Sequence, residues 1–253
     1  MGRIIATVNQ KGGVGKTTTA VNLAAGLAAD GRQTLLVDLD PQGNETTGLG
    51  ITKQASYPTA YHVLLEGEAI DKAVVPTDLK ALSLVPADID LVGAELELVH
   101  LPRREFRLRE ALVGIAPQFD YVIVDCPPSL GLLTLNALTA ADSVLIPLQC
   151  EFYALEGLAK LLNTIRLVKD RMNTGLEIEG ILLTMFDGRT TLATQVRAEV
   201  KQYFGAQLFE TIIPRNVRLS EAPSHGKPII LYDLRSAGAV AYLELAKEVL
   251  AHD

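Results

Sequence analysis

Residues 9–20 read NQKGGVGKTTTA, a glycine-rich loop that carries two lysines, Lys11 and Lys16, where phosphate chemistry ordinarily needs one cation. Such a loop binds phosphate when a strand enters it and a helix leaves it, because backbone N–H groups and the helix N-terminus then converge on the anion. The apolar run RIIATVN precedes it and TTTAVNLAAGLAA follows. Gly15, Lys16 and Thr17 fit G-x-x-x-x-G-K-[ST], but Gln10 stands at the first glycine position, and Gly12 and Gly13 follow a lysine instead. In this reading Gly12, Gly13, Val14, Gly15 and Thr18 build the cradle, Lys16 reaches the terminal phosphates, and Thr17 offers its hydroxyl to Mg²⁺. The plainer alternative is a glycine turn that merely joins strand to helix.

Carboxylates fall where strand ends would deliver them to the same edge of a sheet. VDLDPQGN places Asp38 and Asp40 two residues apart, so both leave the strand on one side, and VIVDCPPS places Asp125 at the end of a second apolar run. An aspartate after four apolar residues suits a holder of a magnesium-bound water. Asp38 or Asp40 could instead cap the Asp-Pro-Gln-Gly turn, and Asp125 the following helix.

To position these groups the chain needs a largely parallel sheet. Apolar, β-branched runs predict strands over 3–9, 34–39, 82–86, 121–125, 143–147, 179–185 and 210–214, and amphipathic patterns predict helices over 16–30, 91–100, 104–115, 132–140, 154–172, 192–204 and 237–251. Runs such as YVIVD and TLLVD are apolar on both faces, as strands covered by helices on both sides must be. The expected fold is α/β and doubly wound, a P-loop domain running through residues 1–253 with no linker or repeat to divide it.

At 253 residues, 48% hydrophobic and 21% charged, the chain can bury a sizeable core. Cys126 and Cys150 have no CxxC spacing and are expected to be inert thiols; the four histidines show no metal-ligand spacing. The N-terminal run is too short for a signal peptide, position 6 is Ala rather than the Ser or Thr of a myristoylation motif, and no apolar run approaches the ~18 residues of a membrane span. A cytosolic protein is expected. The net charge of −7 argues at face value against a nucleic-acid partner.

KGGVGKTT at 11–18, LLVDLDPQGN at 35–44, VIVDCPPSLG at 122–131 and IPRNVRLSEAPSHGKPI at 213–229 resemble the ParA/Soj family of chromosome-partitioning ATPases, the deviant Walker A branch of the P-loop NTPases. The likeness runs over essentially the whole chain, and Lys11 is the position of the extra lysine that marks the branch. It implies an ATP- and Mg²⁺-dependent sandwich homodimer in which each Lys11 crosses to the other subunit's phosphates, with Gly12 and Gly13 leaving room for the two backbones. It implies that Asp40 orients the attacking water, that Asp38 and Asp125 organise magnesium, and that Thr184, Met185, Pro214 and Asn216 lie near the adenine. Glu151 would touch nucleotide or Lys11 across the interface. Turnover would be slow and stimulated by a ParB/Spo0J-type, centromere-bound partner, and some members also influence replication initiation. The short segment before Arg3 resembles the small chromosomal type.

By the same resemblance the dimer holds DNA without sequence preference and associates with the nucleoid, and the charge distribution leaves room for that. Residues 1–159 hold 11 Lys and Arg against 19 Asp and Glu, whereas 160–253 hold 12 against 11. Arg189 and Arg218, both in loops, are the implied contacts, with Lys201, Arg197, Lys227 and Lys247 as weaker candidates; each could equally be a solvated surface charge. The alternative is a MinD-like membrane-cycling ATPase, whose branch carries a cationic amphipathic C-terminal helix. Here the tail AYLELAKEVLAHD has one lysine and three acids and is expected to pack as a last helix. An iron-sulfur reductase would need cysteine motifs absent from the sequence, and a small-molecule kinase or synthetase an acceptor pocket with no distinct residues.

Overall fold

Eight strands form one sheet in the computed structural model, which describes residues 2–51 and 57–252. In chain order they are β1 (Arg3–Thr7), β2 (Thr34–Asp38), β3 (Val75–Pro76), β4 (Leu82–Val85), β5 (Tyr121–Asp125), β6 (Ser143–Gln149), β7 (Glu177–Phe186) and β8 (Leu208–Pro214). Their spatial order is β3-β4-β2-β5-β1-β6-β7-β8, with every pairing parallel except the β3–β4 edge. The helices are α1 (Lys16–Ala29), α2 (Asn44–Gly48), α3 (Ile70–Ala73), α4 (Leu91–Leu98), α5 (Arg107–Leu112), α6 (Leu132–Ala140), α7 (Ala154–Arg171), α8 (Thr191–Phe204), α9 (Val217–Glu221), α10 (Ile229–Tyr232) and α11 (Ala237–Leu250).

Both faces of the sheet are covered, which is why β2 and β5 are buried at every residue. Ile5, Leu36 and Ile123 face the layer containing α1 and α11, whereas Ala6, Val37 and Val124 face α4, α6 and α7. The last helix packs as its residues predict: Tyr242, Leu245 and Val249 are buried, and Tyr242 Oη lies 3.1 Å from Thr19 Oγ1 on α1. Gly26 lets the two helices approach, since a Cβ there would stand 2.9 Å from the Ala246 Cβ. Among the described residues no helix is long and apolar enough to cross a membrane.

Register delivers the chemistry. Asp38 pairs with Asp125, and Asp125 with Thr7, so three polar side chains finish adjacent parallel strands at one level. The central β1 is flanked by β5 and β6, and from it the chain runs one way to β2 and later the other way to β7 and β8. The loop after β1 therefore opens at the crevice where connections diverge, the usual ligand position in an open α/β sheet.

Two predicted boundaries move for local reasons. The strand expected over 3–9 stops at Thr7 because Asn9 turns its side-chain amide to the Pro147 carbonyl, 2.7 Å, and accepts from Lys11 N, 3.0 Å, which begins the loop. The helix expected over 104–115 shrinks to Arg107–Leu112. Arg103 sits at φ 52, Phe106 N closes a turn on its carbonyl, and Asn136 of α6 accepts from Leu108 N at 3.0 Å.

Candidate phosphate and nucleotide site

The loop is shaped by glycines with a steric reason to be there. Gly13 and Gly15 adopt φ of +76° and +84°, left-handed values that side chains other than glycine's rarely take. Gly15 then caps α1 while the first-turn N–H groups face the cleft. Thr184, at the end of β7, donates its hydroxyl to the Val14 carbonyl at 2.8 Å and so pins the loop to the sheet. Its side chain serves the loop's conformation, a role the sequence did not disclose.

Lys16 is 7% exposed, with Nζ 3.3 Å from the Lys11 carbonyl. Burial lowers its pKa, and the charges of Asp125, Cys126 and Asp40 oppose that shift. Thr17 donates to Asp125 Oδ2 at 2.6 Å, while Asp125 Oδ1 is buried with no donor group among the described residues. Asp38 accepts from Asp40 N at 3.0 Å and from Thr46 Oγ1 at 3.2 Å. Burial, reinforced by the Asp125 charge, pushes Asp38 up to about 8; burial likewise raises Asp125 to about 7 against the Thr17 hydrogen bond and Lys16. Asp125 does not cap the following helix, which starts at Leu132 with Gly131 before it. Asp40 accepts from Gln42 N at 3.0 Å, so it closes the turn and lines the cleft at once.

The sequence missed Glu45, on α2. Its side chain is fully buried against Asp125, no donor group among the described residues serves its carboxylate, and burial together with Asp125, Asp38 and Asp40 drives its pKa well up. Nothing in the short stretch NETTG has a period that would have placed it inward. Among the described residues no three acidic, histidine or cysteine side chains are grouped to hold a metal ion directly, but buried carboxylates around one lysine and the Thr17 hydroxyl are costly by themselves and suit a hard cation that keeps most of its waters.

The cleft beside this edge has a volume of about 470 Å³. It gathers Gly12, Gly13, Gly15, Lys16, Thr17, Thr18 and Asp40 with Thr184, Met185, Pro214 and Asn216, the residues expected around phosphate and base. Met185 holds a left-handed φ of 48°, and the Asn216 side chain caps α9 by accepting from Arg218 N at 2.9 Å. Arg215, Asn44 and Tyr242 also line it and were not anticipated. Lys11 points outward at the rim, half-exposed and ion-paired with Glu151 of the same chain. Phe152 and Tyr153 follow at 78% and 70% exposure, stacked edge to face beside that ion pair.

The candidate DNA contacts do not share one edge. Arg189, after β7, and Arg218, after β8, stand at the carboxyl edge of the sheet, whereas Lys201 in the last turn of α8 and Lys247 in the last turn of α11 belong to the opposite edge. Lys227 lies near α2 and the start of α1. Arg189 is paired with Asp187 at 2.6 Å, Arg218 with Glu221 at 2.8 Å and Asp233 at 3.4 Å, and Arg197 lies over the Phe186 ring.

Strand, left-handed glycine loop, lysine and helix at the switch point of a doubly wound sheet define a P-loop nucleotide-binding protein. Residues 2–178 match the AAA domain family. The chain is 61% identical over 253 residues to the chromosome partitioning protein ParA of Myxococcus xanthus, covering 100% of this chain and 89% of that protein. It is 60% identical over 252 residues to the sporulation initiation inhibitor protein Soj of Bacillus subtilis, covering 100% of both. A solved structure named cobyrinic acid a,c-diamide synthase, from Mycobacterium smegmatis with bound ADP and magnesium, superposes with a TM-score of 0.86 at 42% identity over 100% of this chain and 95% of that one. This chain belongs to the ParA/Soj family of chromosome-partitioning ATPases.

Proposed function

We propose that the protein is an ATP-operated partition switch, in which ATP makes a sandwich dimer that holds DNA without reading its sequence and hydrolysis dismantles it. The observation that carries the dimer is Gly12. Unlike Gly13 and Gly15 it has no positive φ, and a Cβ built on it meets no atom within 4 Å. The monomer gives no steric reason for glycine there, at the rim beside an outward lysine and two exposed aromatics. A second backbone approaching that rim supplies one.

Within each half of the dimer, Lys16 and the α1 N-terminus neutralise the phosphates. Lys11 leaves Glu151 and adds a cation from the other subunit as charge develops on the transferred group, an arrangement worth ~10³ to 10⁵ in rate where it is supplied in trans. Thr17 would hold Mg²⁺, with Asp125 and Asp38 receiving its bound waters, and the ion would supply charge neutralisation at the β- and γ-phosphates. Asp40 accepts a proton or hydrogen bond from the attacking water, and its place on the turn lets a partner protein adjust it. A ParB/Spo0J-type partner is the stimulator this reading names, with Arg189 and Arg218 as the DNA contacts and nucleoid-bound protein in the cytoplasm as the consequence. A contact with a replication initiator would belong to the same ATP-bound form.

Light scattering of wild type and Gly12→Val with ATP·Mg²⁺ tests this. The wild type should double in mass and Gly12→Val stay monomeric with nucleotide affinity within about threefold, since the added side chain has open space in the monomer. A dimeric Gly12→Val protein would refute the role of the rim.

A further inference from the structure

Beside the nucleotide site lies a surface with no task so far. Ile89, Val92, Leu96 and Val99 are 65%, 58%, 75% and 47% exposed, at spacings of three, four and three residues, and so form one stripe along α4. Val92 N donates to the Ile89 carbonyl at 3.0 Å, which carries the helical turn back to the stripe's first residue. From Ile89 to Val99 the stripe runs ten helical steps, about 15 Å or nearly three turns. Isolated apolar residues on a surface are ordinary, but four in register along a helix and the turns that flank it are not.

Its charge is one-sided. Between Pro86 and Val99 the sequence holds Asp88, Asp90, Glu95 and Glu97 and no lysine or arginine. None of the four is in an ion pair with a described residue, although Glu97 accepts a hydrogen bond from Tyr61 Oη at 3.0 Å. Glu95 packs so tightly on Gly131 that a Cβ there would overlap its carboxylate, and its buried Oε1 has no hydrogen-bond partner among the described residues. Val92 and Glu95 also wall a cleft of about 330 Å³ whose other side is Asp40, Pro41, Gln42 and Pro127–Ser129. Whatever occupies the stripe therefore reaches the turn that holds Asp40.

We infer that α4 and this cleft are the docking site for a short cationic amphipathic segment of the stimulating partner. Its apolar face would cover Ile89, Val92, Leu96 and Val99, and its lysines or arginines would meet the four carboxylates. An apolar face accounts for the stripe, and a cationic flank complements carboxylates that meet no lysine or arginine among the described residues. Contact with Pro41 and Pro127 through the cleft is the route by which docking would shift Asp40. This inference rests on the partner-stimulated reading above and adds where the partner binds and what chemistry it brings.

Two variants test it without touching the nucleotide site: Leu96→Glu, at an exposed position where glutamate suits a helix, and Asp90→Lys with Glu97→Lys. The direct probe is a fluorescein-labelled 16-residue amphipathic helix of leucine and lysine, read by anisotropy against the full chain with ATP·Mg²⁺. It should bind wild type about tenfold or more tighter than either variant, and a leucine-glutamate peptide should not bind. Equal affinity for wild type and variants overturns the proposal. In the functional arm, stimulation of hydrolysis by the ParB-type protein of the same genome should fall about tenfold or more in both variants. Basal turnover, ATP-dependent mass and melting temperature should not change. A Leu96→Glu protein that no longer dimerises would assign the face to a second copy and overturn the proposal. A wild type that the ParB-type protein does not stimulate would defeat the partner reading, and the peptide arm would then decide the surface alone.

Discussion

Asp38 and Asp125 are register partners on β2 and β5, and their burial makes the site's behaviour depend on pH. In the fold their pKa values lie at about 8 and about 7, above the ordinary carboxylate range, so the folded form binds protons that the unfolded chain has released. Their contribution to stability is full in acid, below the unfolded value, and is lost as pH rises through the folded ones. The nucleotide-free protein should thus lose melting temperature between about pH 5 and about pH 8. Asp38→Asn should flatten that slope, as should ATP·Mg²⁺, because a cation favours the ionised form. A melting temperature that climbs across this range would contradict the assignment. Lys16→Ala should weaken ATP binding about a hundredfold or more, measured with a fluorescent analogue, because it removes a buried cation from the loop that would hold the phosphates. Asp40→Ala should bind ATP normally and accumulate as an ATP-bound dimer in size-exclusion chromatography; loss of nucleotide binding would mean that Asp40 is structural.

At the scale of elements, the seven long strands were legible because each is an apolar run bounded by a turn. The candidate site came with them, because Asp38, Asp40 and Asp125 lie at or just after carboxyl ends of strands and Lys16 and Thr17 open the helix that follows β1. What was not legible has physical causes. β3 is two residues at an antiparallel edge, too short for any alternation, and α2, α9 and α10 are single turns held by tertiary contacts. Asn9, Thr184 and Glu45 act through neighbours distant in sequence: Pro147, Val14 and Asp125. The packing of α11 on α1 makes a prediction of its own. Gly26→Val places atoms where Ala246 and the Tyr242 carbonyl already stand and should cost about 1–3 kcal/mol in urea unfolding. Gly12→Val, by the same measurement, should cost little; a large loss at Gly12 would mean that its open surroundings are misread.

For the whole molecule, the proposed switch must reconcile a net charge of −7 with DNA binding, and it would do so through where the charges lie and through dimerisation. Arg189 and Arg218 stand at the carboxyl edge of the sheet, so a dimer closed over that edge brings two copies of each toward one duplex. Few phosphate contacts per subunit give weak binding, and doubling them on one particle raises affinity and salt sensitivity together. Arg189→Ala with Arg218→Ala should weaken DNA binding and lower the salt slope while leaving the ATP-dependent mass unchanged. The most direct test of the switch is the anisotropy of a labelled random-sequence duplex titrated with protein in ATP·Mg²⁺ and in ADP·Mg²⁺ at two salt concentrations. Binding confined to ATP and falling as salt rises is the predicted result; equal binding in both nucleotides, or in neither, would contradict it.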